Sequence, residues 1–199
     1  MKTKNSVLIS IVLIFALYLV GCGGSSLPDN KYLGSLPGLA DKYESEIEEL
    51  EKKSKESDDL KKAFEYSQKA EKLDEEAEAK VDEAFAEMDA PIEIPFEQVA
   101  YQDKYEIQQL RITKAYFNGM SVEFDALIKK SETHLFGYLR FVDEEGNEIP
   151  GWCVTMSKRR PEEGQVAVFK GTYRGLHKLS GMAKVKAMSR EYYNENENN

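Results

Sequence analysis

The chain has 199 residues, with 27 basic against 36 acidic side chains and a formal net charge of −9. A net acidic chain of this length has room for one domain plus an extended element rather than two full cores, and it is a poor match to a polyanion such as nucleic acid. Its 2 cysteines and 2 histidines leave little from which to build a disulfide framework, a metal centre or a hydrolytic triad.

Lys2 and Lys4 precede an apolar run from Val7 to Val20, which closes on Leu19-Val20-Gly21-Cys22 and is followed by Gly-Gly-Ser-Ser. A basic start, a hydrophobic core of about 14 residues and small residues at a cut site form the pattern of a secretory signal peptide, and the run is short for spanning a bilayer. The Leu-x-Gly-Cys ending resembles the lipobox of bacterial lipoproteins, a resemblance confined to the segment ending at Cys22. It implies removal of residues 1–21 and lipidation of Cys22, so that the mature protein is held on a membrane. Stable attachment needs more than one acyl chain, and lipoproteins of this kind carry more than one. Gly23 stands where the family can carry a retention aspartate, which favours the outer membrane in a cell with two. In the other reading the apolar run is an uncleaved anchor helix and Cys22 an ordinary thiol; the protein is tethered either way. With Cys22 lipidated, Cys153 has no partner for an intrachain disulfide, and Trp152-Cys153-Val154 reads as the setting of a small buried hydrophobe.

Residues 22–38 read as a flexible tether, rich in Gly, Ser and Pro at first and then carrying Tyr32, Leu33 and Leu36. These apolar residues either pack against the rest of the protein or form a stiff approach to it. Residues 39–90 form an acidic helical segment, free of Gly and Pro from Leu39 to Met88. Its apolar positions recur in steps of three and four at Leu39, Tyr43, Ile47, Leu50, Leu60, Phe64, Ala70, Leu73, Ala77, Val81, Ala84 and Met88. One long helix of about 75 Å is the preferred reading. The alternative is a helical hairpin, with Ser57-Asp58-Asp59 as an N-cap followed by a second helix. Residues 41–90 hold 9 basic and 19 acidic side chains, the mark of a solvated face.

At Pro91 the period changes to two, with Ile92, Ile94 and Phe96 alternating with Glu93, Pro95 and Glu97. Further strands are expected at Ile107–Phe117, Met120–Ile128, Leu135–Val142, Glu148–Met156, Gln165–Thr172 and Met182–Met188. Asn118-Gly119 and the acidic stretch Asp143–Asn147 are hairpin turns, so the connections are antiparallel. The fold class is therefore α+β in sequence order, with the helical segment followed by an all-β, immunoglobulin-like antiparallel sandwich over residues 91–190. Trp152, Phe124, Phe141 and Phe169 are its expected core. Residues 191–199 are a disordered polar tail.

No catalytic motif stands out. His134 and His177 have no neighbour at metal-ligand spacing, and Glu144-Glu145 and Glu162-Glu163 read as solubilising turn charge; the acidic turn Asp143–Glu148 lacks the alternating oxygen ligands of a calcium loop. One asymmetry rises above background: residues 91–150 hold 6 basic and 11 acidic side chains, whereas residues 151–190 hold 9 basic and 2 acidic. Lys158, Arg159, Arg160, Lys170, Arg174, Lys184 and Lys186 are the candidate surface for an anionic partner, such as an envelope glycan, a lipid headgroup or an acidic protein. In a second reading the acidic helix docks on this basic half, within one chain or between two copies. The function expected is that of a membrane-anchored envelope lipoprotein, presenting a β-module for binding or structural support without catalysis, cofactor or metal. The alternative is an accessory subunit or degenerate enzyme of an envelope complex, with the chemistry in a partner.

Overall fold

The computed structural model describes residues 30–188 and residue 192. The expected signal peptide, Cys22, the first part of the expected tether and most of the expected polar tail lie outside the described residues. Helix α1 (Leu36–Glu56) is followed by helix α2 (Leu60–Ala86) and then by strands β1 (Ile92–Glu93), β2 (Phe96–Gln98), β3 (Tyr105–Tyr116), β4 (Gly119–Ile128), β5 (Phe136–Asp143), β6 (Cys153–Ser157), β7 (Val166–Arg174) and β8 (Met182–Met188). A short 3-10 turn, Leu176–Leu179, separates β7 from β8. Among the described residues no helix is long and apolar enough to cross a membrane.

The helical segment is a hairpin, which corrects the preferred reading of one long helix. Pro37 suits the first turn of α1, where its missing N–H is not needed. At the other end the Asp59 carboxylate accepts from the backbone N–H groups of Lys61 (2.9 Å) and Lys62 (3.4 Å), capping α2. The Ser54 hydroxyl donates to Ala63 O across the bend at 2.9 Å, and Tyr43 donates to Glu76 at 3.0 Å further down. A narrow apolar stripe has little to bury against in isolation, and folding back supplies the partner from the same chain. Leu60 and Phe64 do not join that stripe: they stand at the hairpin tip, 87 % and 63 % exposed.

The strands form one continuous eight-stranded sheet in the order β1-β3-β4-β7-β6-β5-β8-β2. The expected immunoglobulin-like sandwich of two facing sheets is therefore replaced by a single curled sheet. The curl follows from residues 92–98, which supply both ends of the strand order. Ile92 and Glu93 pair antiparallel with β3, and Ile94 N donates to Leu110 O at 3.0 Å. One residue later Pro95 O accepts from Val185 N at 2.9 Å, and Phe96–Gln98 run parallel to β8. The Gln98 side chain ties the two sides together, donating to Tyr105 O and accepting from Ile107 N, each at 2.9 Å. The two ends of the strand order are thus short strands of one segment, and short edge strands offer little template for pairing.

The β3–β4 hairpin forms where expected, but Tyr116 pairs with Gly119, so the turn is Phe117-Asn118. Gly119 is there for another reason: a Cβ at this position would lie 2.1 Å from Tyr173 O on β7. In the acidic turn, Asn147 N donates to the Asp143 carboxylate at 2.8 Å and Gly146 takes φ +92°.

Inside the curl, Phe124 and Phe169 stack at 4.4 Å with Tyr105 against them, and Phe141 meets Tyr173 edge-on at 4.6 Å. The same buried cluster continues into Leu33, Leu36 and Ala40 and into Ala77, Val81 and Phe85 of α2. The base of the hairpin thus plugs the sheet. Its contacts there are apolar, with Tyr43 against Phe117 at 6.4 Å, and its charged contacts go to β3 and the turn after it: Asp82 meets Lys114 at 3.7 Å and Glu78 accepts from Phe117 N at 2.9 Å. Tyr32, Leu33 and Leu36 resolve the tether question in favour of packing, since Leu33 and Leu36 are fully buried and Tyr32 packs on the cluster.

Candidate functional site

Alternation along a strand sends successive side chains to opposite faces, and on β5, β6 and β7 part of the outer face is apolar as well as the inner one. Leu139, Phe141, Cys153, Ala167 and Phe169 point into the core. Phe136, Tyr138, Val154, Met156, Val166 and Val168 point out. Register brings them side by side, with Phe136 opposite Met156 and Tyr138 opposite Val154. Trp152, at the entry to β6, lies flat on Tyr138 with ring centroids 5.4 Å apart and planes 16° from parallel. It is 46 % exposed, which corrects its assignment to the core.

Trp152 is held firmly from beneath. Tyr173 donates to Pro150 O at 2.7 Å and Arg140 to Gly151 O at 2.9 Å, so the two carbonyls ahead of Trp152 are fixed from the sheet. Arg140 also lies 3.8 Å from Glu148. Burial pushes the Tyr173 hydroxyl up to about 12, leaving it a neutral donor. Cys153 is buried as expected, and burial pushes its thiol up to about 12, so it stays protonated and unreactive at neutral pH. Truncating Trp152 to Ala should change stability by no more than about 1 kcal/mol, because an exposed stacked ring loses little on removal. Urea unfolding followed by far-UV circular dichroism measures this, and a loss of several kcal/mol would return the residue to the core.

The candidate cationic residues are spread over this part of the sheet. Lys158, Arg159 and Arg160 form an exposed loop after β6, and Arg160 N donates to Thr133 O at 3.0 Å. Arg174 sits at the opposite end of β7. Lys170 projects beside Met156 and meets Glu123 at 2.7 Å, while Lys184 on β8 meets Glu97 at 3.1 Å. Lys186 pairs across the ladder with Arg140. These seven residues do not converge on one spot, and only the 158–160 loop borders the apolar patch as a cluster.

The remaining outer face is polar. Arg111 makes a bidentate pair with Asp125 at 2.6 and 3.0 Å and approaches Glu123 at 3.5 Å, which holds its guanidinium protonated more firmly than usual. Beside this network is an open groove of about 290 Å³ lined by Thr113, Ser121, Glu123, Lys170 and Thr172. His134 lies 6.3 Å from the Phe136 ring, and His177 is on the 3-10 turn at the hairpin end. Among the described residues no group of three or more His, Cys, Asp or Glu side chains is placed to hold a metal ion, and no buried side-chain polar atom lacks a hydrogen-bond partner.

Charge counting singled out residues 151–190 but missed the apolar patch. Its signal was present in Val154 and Met156 alternating with Cys153 and Thr155, and in Val166-Ala167-Val168-Phe169, where both parities of a strand are apolar. Such a strand has a second face that is suited to being covered. Compared with protein-family models, curated proteins and solved structures, the chain matches none of them.

Proposed function

We propose that this protein is a membrane-anchored envelope lipoprotein that presents its curled sheet as a binding or structural module and catalyses no reaction itself. The observation that carries the binding role is the Trp152–Tyr138 stack, set in an apolar face across three adjacent strands and held from beneath by Tyr173 and Arg140. Exposed aromatic anchors with fixed backbones suit molecular recognition, since little freedom is lost when a partner arrives. The anchoring role rests on the lipobox-like Leu19-Val20-Gly21-Cys22. In a cell with two membranes, Gly23 favours the outer one.

Two experiments test the two halves of the reading. Cys22→Ala should leave the precursor unprocessed or release the protein into the soluble fraction, and membrane retention equal to wild type would exclude lipid anchoring at this residue. For binding, a photo-crosslinking amino acid at Val154 in the full chain in its native envelope should give a discrete crosslinked species, while the same probe at Glu106, exposed on β3, should not. An unreacted probe at Val154 would mean that the face is bare and the binding role is wrong.

A further inference from the structure

The apolar patch is bounded by opposite charges at its two ends. Strand β5 runs from Phe136 to Asp143 and β6 returns antiparallel beside it, with Leu139 opposite Cys153. The turn joining them, with Glu144, Glu145 and Glu148 all exposed, therefore lies at one end of the patch. The loop Lys158-Arg159-Arg160, which follows β6, lies at the other. Among the described residues no carboxylate lies within ion-pair distance of these three cations. Glu162 and Glu163 come later in the same connection, toward β7. At about 3.3 Å per strand residue the two charged ends are about 30 Å apart, with Trp152 and Val154 flanking the midpoint.

This arrangement is self-complementary. A two-fold axis lying in the plane between the two sheets and running across the strands over Trp152 and Val154 lays each copy's basic loop over the other copy's acidic turn and packs the apolar face against itself, the requirement for an isologous interface. The exposed apolar side chains amount to a patch on the order of 500 Å², and the charged ends bring each copy toward the roughly 800 Å² per partner of a standard interface. Aligned packing of two twisted sheets accommodates side chains of this size. Resting on the reading of this face as a docking surface, we infer that its occupant is a second copy of the same chain, bound antiparallel through β5, β6 and β7.

The test uses the Val154 photo-crosslinker in the full chain in its native envelope. The expected product has twice the mass of the chain. Reversing the loop with K158E/R159E/R160E should reduce that product at least tenfold, as should E144K/E145K, because each variant faces like charge across the axis. Combining both sets restores opposite charges and should recover the product to within about twofold of the starting chain, an outcome that loss of folding does not produce. A product containing a different protein would overturn the second-copy assignment while leaving the docking surface intact. No product at all would overturn both. Equal yields from the single and combined reversals would overturn the antiparallel geometry.

Discussion

Phe124→Ala is expected to cost about 3–5 kcal/mol of folding stability, the range for removing a large buried aromatic ring. The Phe124 ring is fully buried, stacks on Phe169 at 4.4 Å and lies 5.9 Å from Tyr105. It also fills the space left by Gly137 on β5, where an added Cβ would come within 2.8 Å of it. The cavity left by alanine is walled by a strand backbone and two further aromatic rings, so collapse into it is limited. Against a total stability of about 5–15 kcal/mol for a domain, this loss should place a large part of the protein near its unfolding threshold. Urea titration by circular dichroism is the measurement, because the one tryptophan is exposed and reports poorly on the core. A loss under about 1 kcal/mol would mean that the aromatic stack is not central to the fold.

Asn30→Ala is expected to cost about 2–4 kcal/mol, although the residue lies far from the sheet in sequence. Asn30 is 4 % exposed and its amide works in both directions. It donates to Leu179 O at 2.8 Å and Met182 O at 3.3 Å, and it accepts from Tyr32 N at 2.8 Å and Leu33 N at 2.9 Å. Alanine strands several of these backbone groups away from water, and each unsatisfied group costs about 1–3 kcal/mol. Limited proteolysis adds a local readout: residues 31–36 should become cleavable under conditions where the sheet still resists. Unchanged cleavage together with unchanged stability would mean that Asn30 does not fasten the tether.

The strands were legible because each carries a run of alternating or wholly apolar residues between turn signals: five of the expected spans coincide with observed strands to within two residues, whereas the span expected at Glu148–Met156 starts five residues before the strand Cys153–Ser157. The hairpin was legible too, in Ser57-Asp58-Asp59, but it competed with unbroken helix propensity, and local sequence does not contain the energy gained when one stripe finds the other. Trp152 was misassigned for a related reason. In Trp152-Cys153-Val154-Thr155-Met156 the aromatic and aliphatic residues share one parity and the small Cys153 and Thr155 the other. Size argues for placing the large residues inside, but the inner face here is already filled by Phe124, Phe169 and Tyr173, leaving room only for a thiol and a threonine. The basic residues were correctly seen as an excess in residues 151–190, yet their separation was invisible until strand order placed Lys184 and Lys186 on β8 and Arg174 at the far end of β7. Asn30 gave no signal at all, being one polar residue in a Gly, Ser and Pro-rich stretch.

The segment 92–98 also sets an order of assembly. It is the first part of the sheet to be synthesised, yet Phe96–Gln98 must wait for Val185–Ala187 on β8, which follows all the other strands in the chain. A chain emerging N-terminus first therefore leaves β2 and the outer side of β5 without their partner until β8 arrives. Contacts so distant in sequence slow folding, and open edges invite pairing with neighbouring chains. The interval between making β1 and making β8 is the period in which this protein is most exposed to aggregation, and protection during synthesis matters most until residue 188 is available.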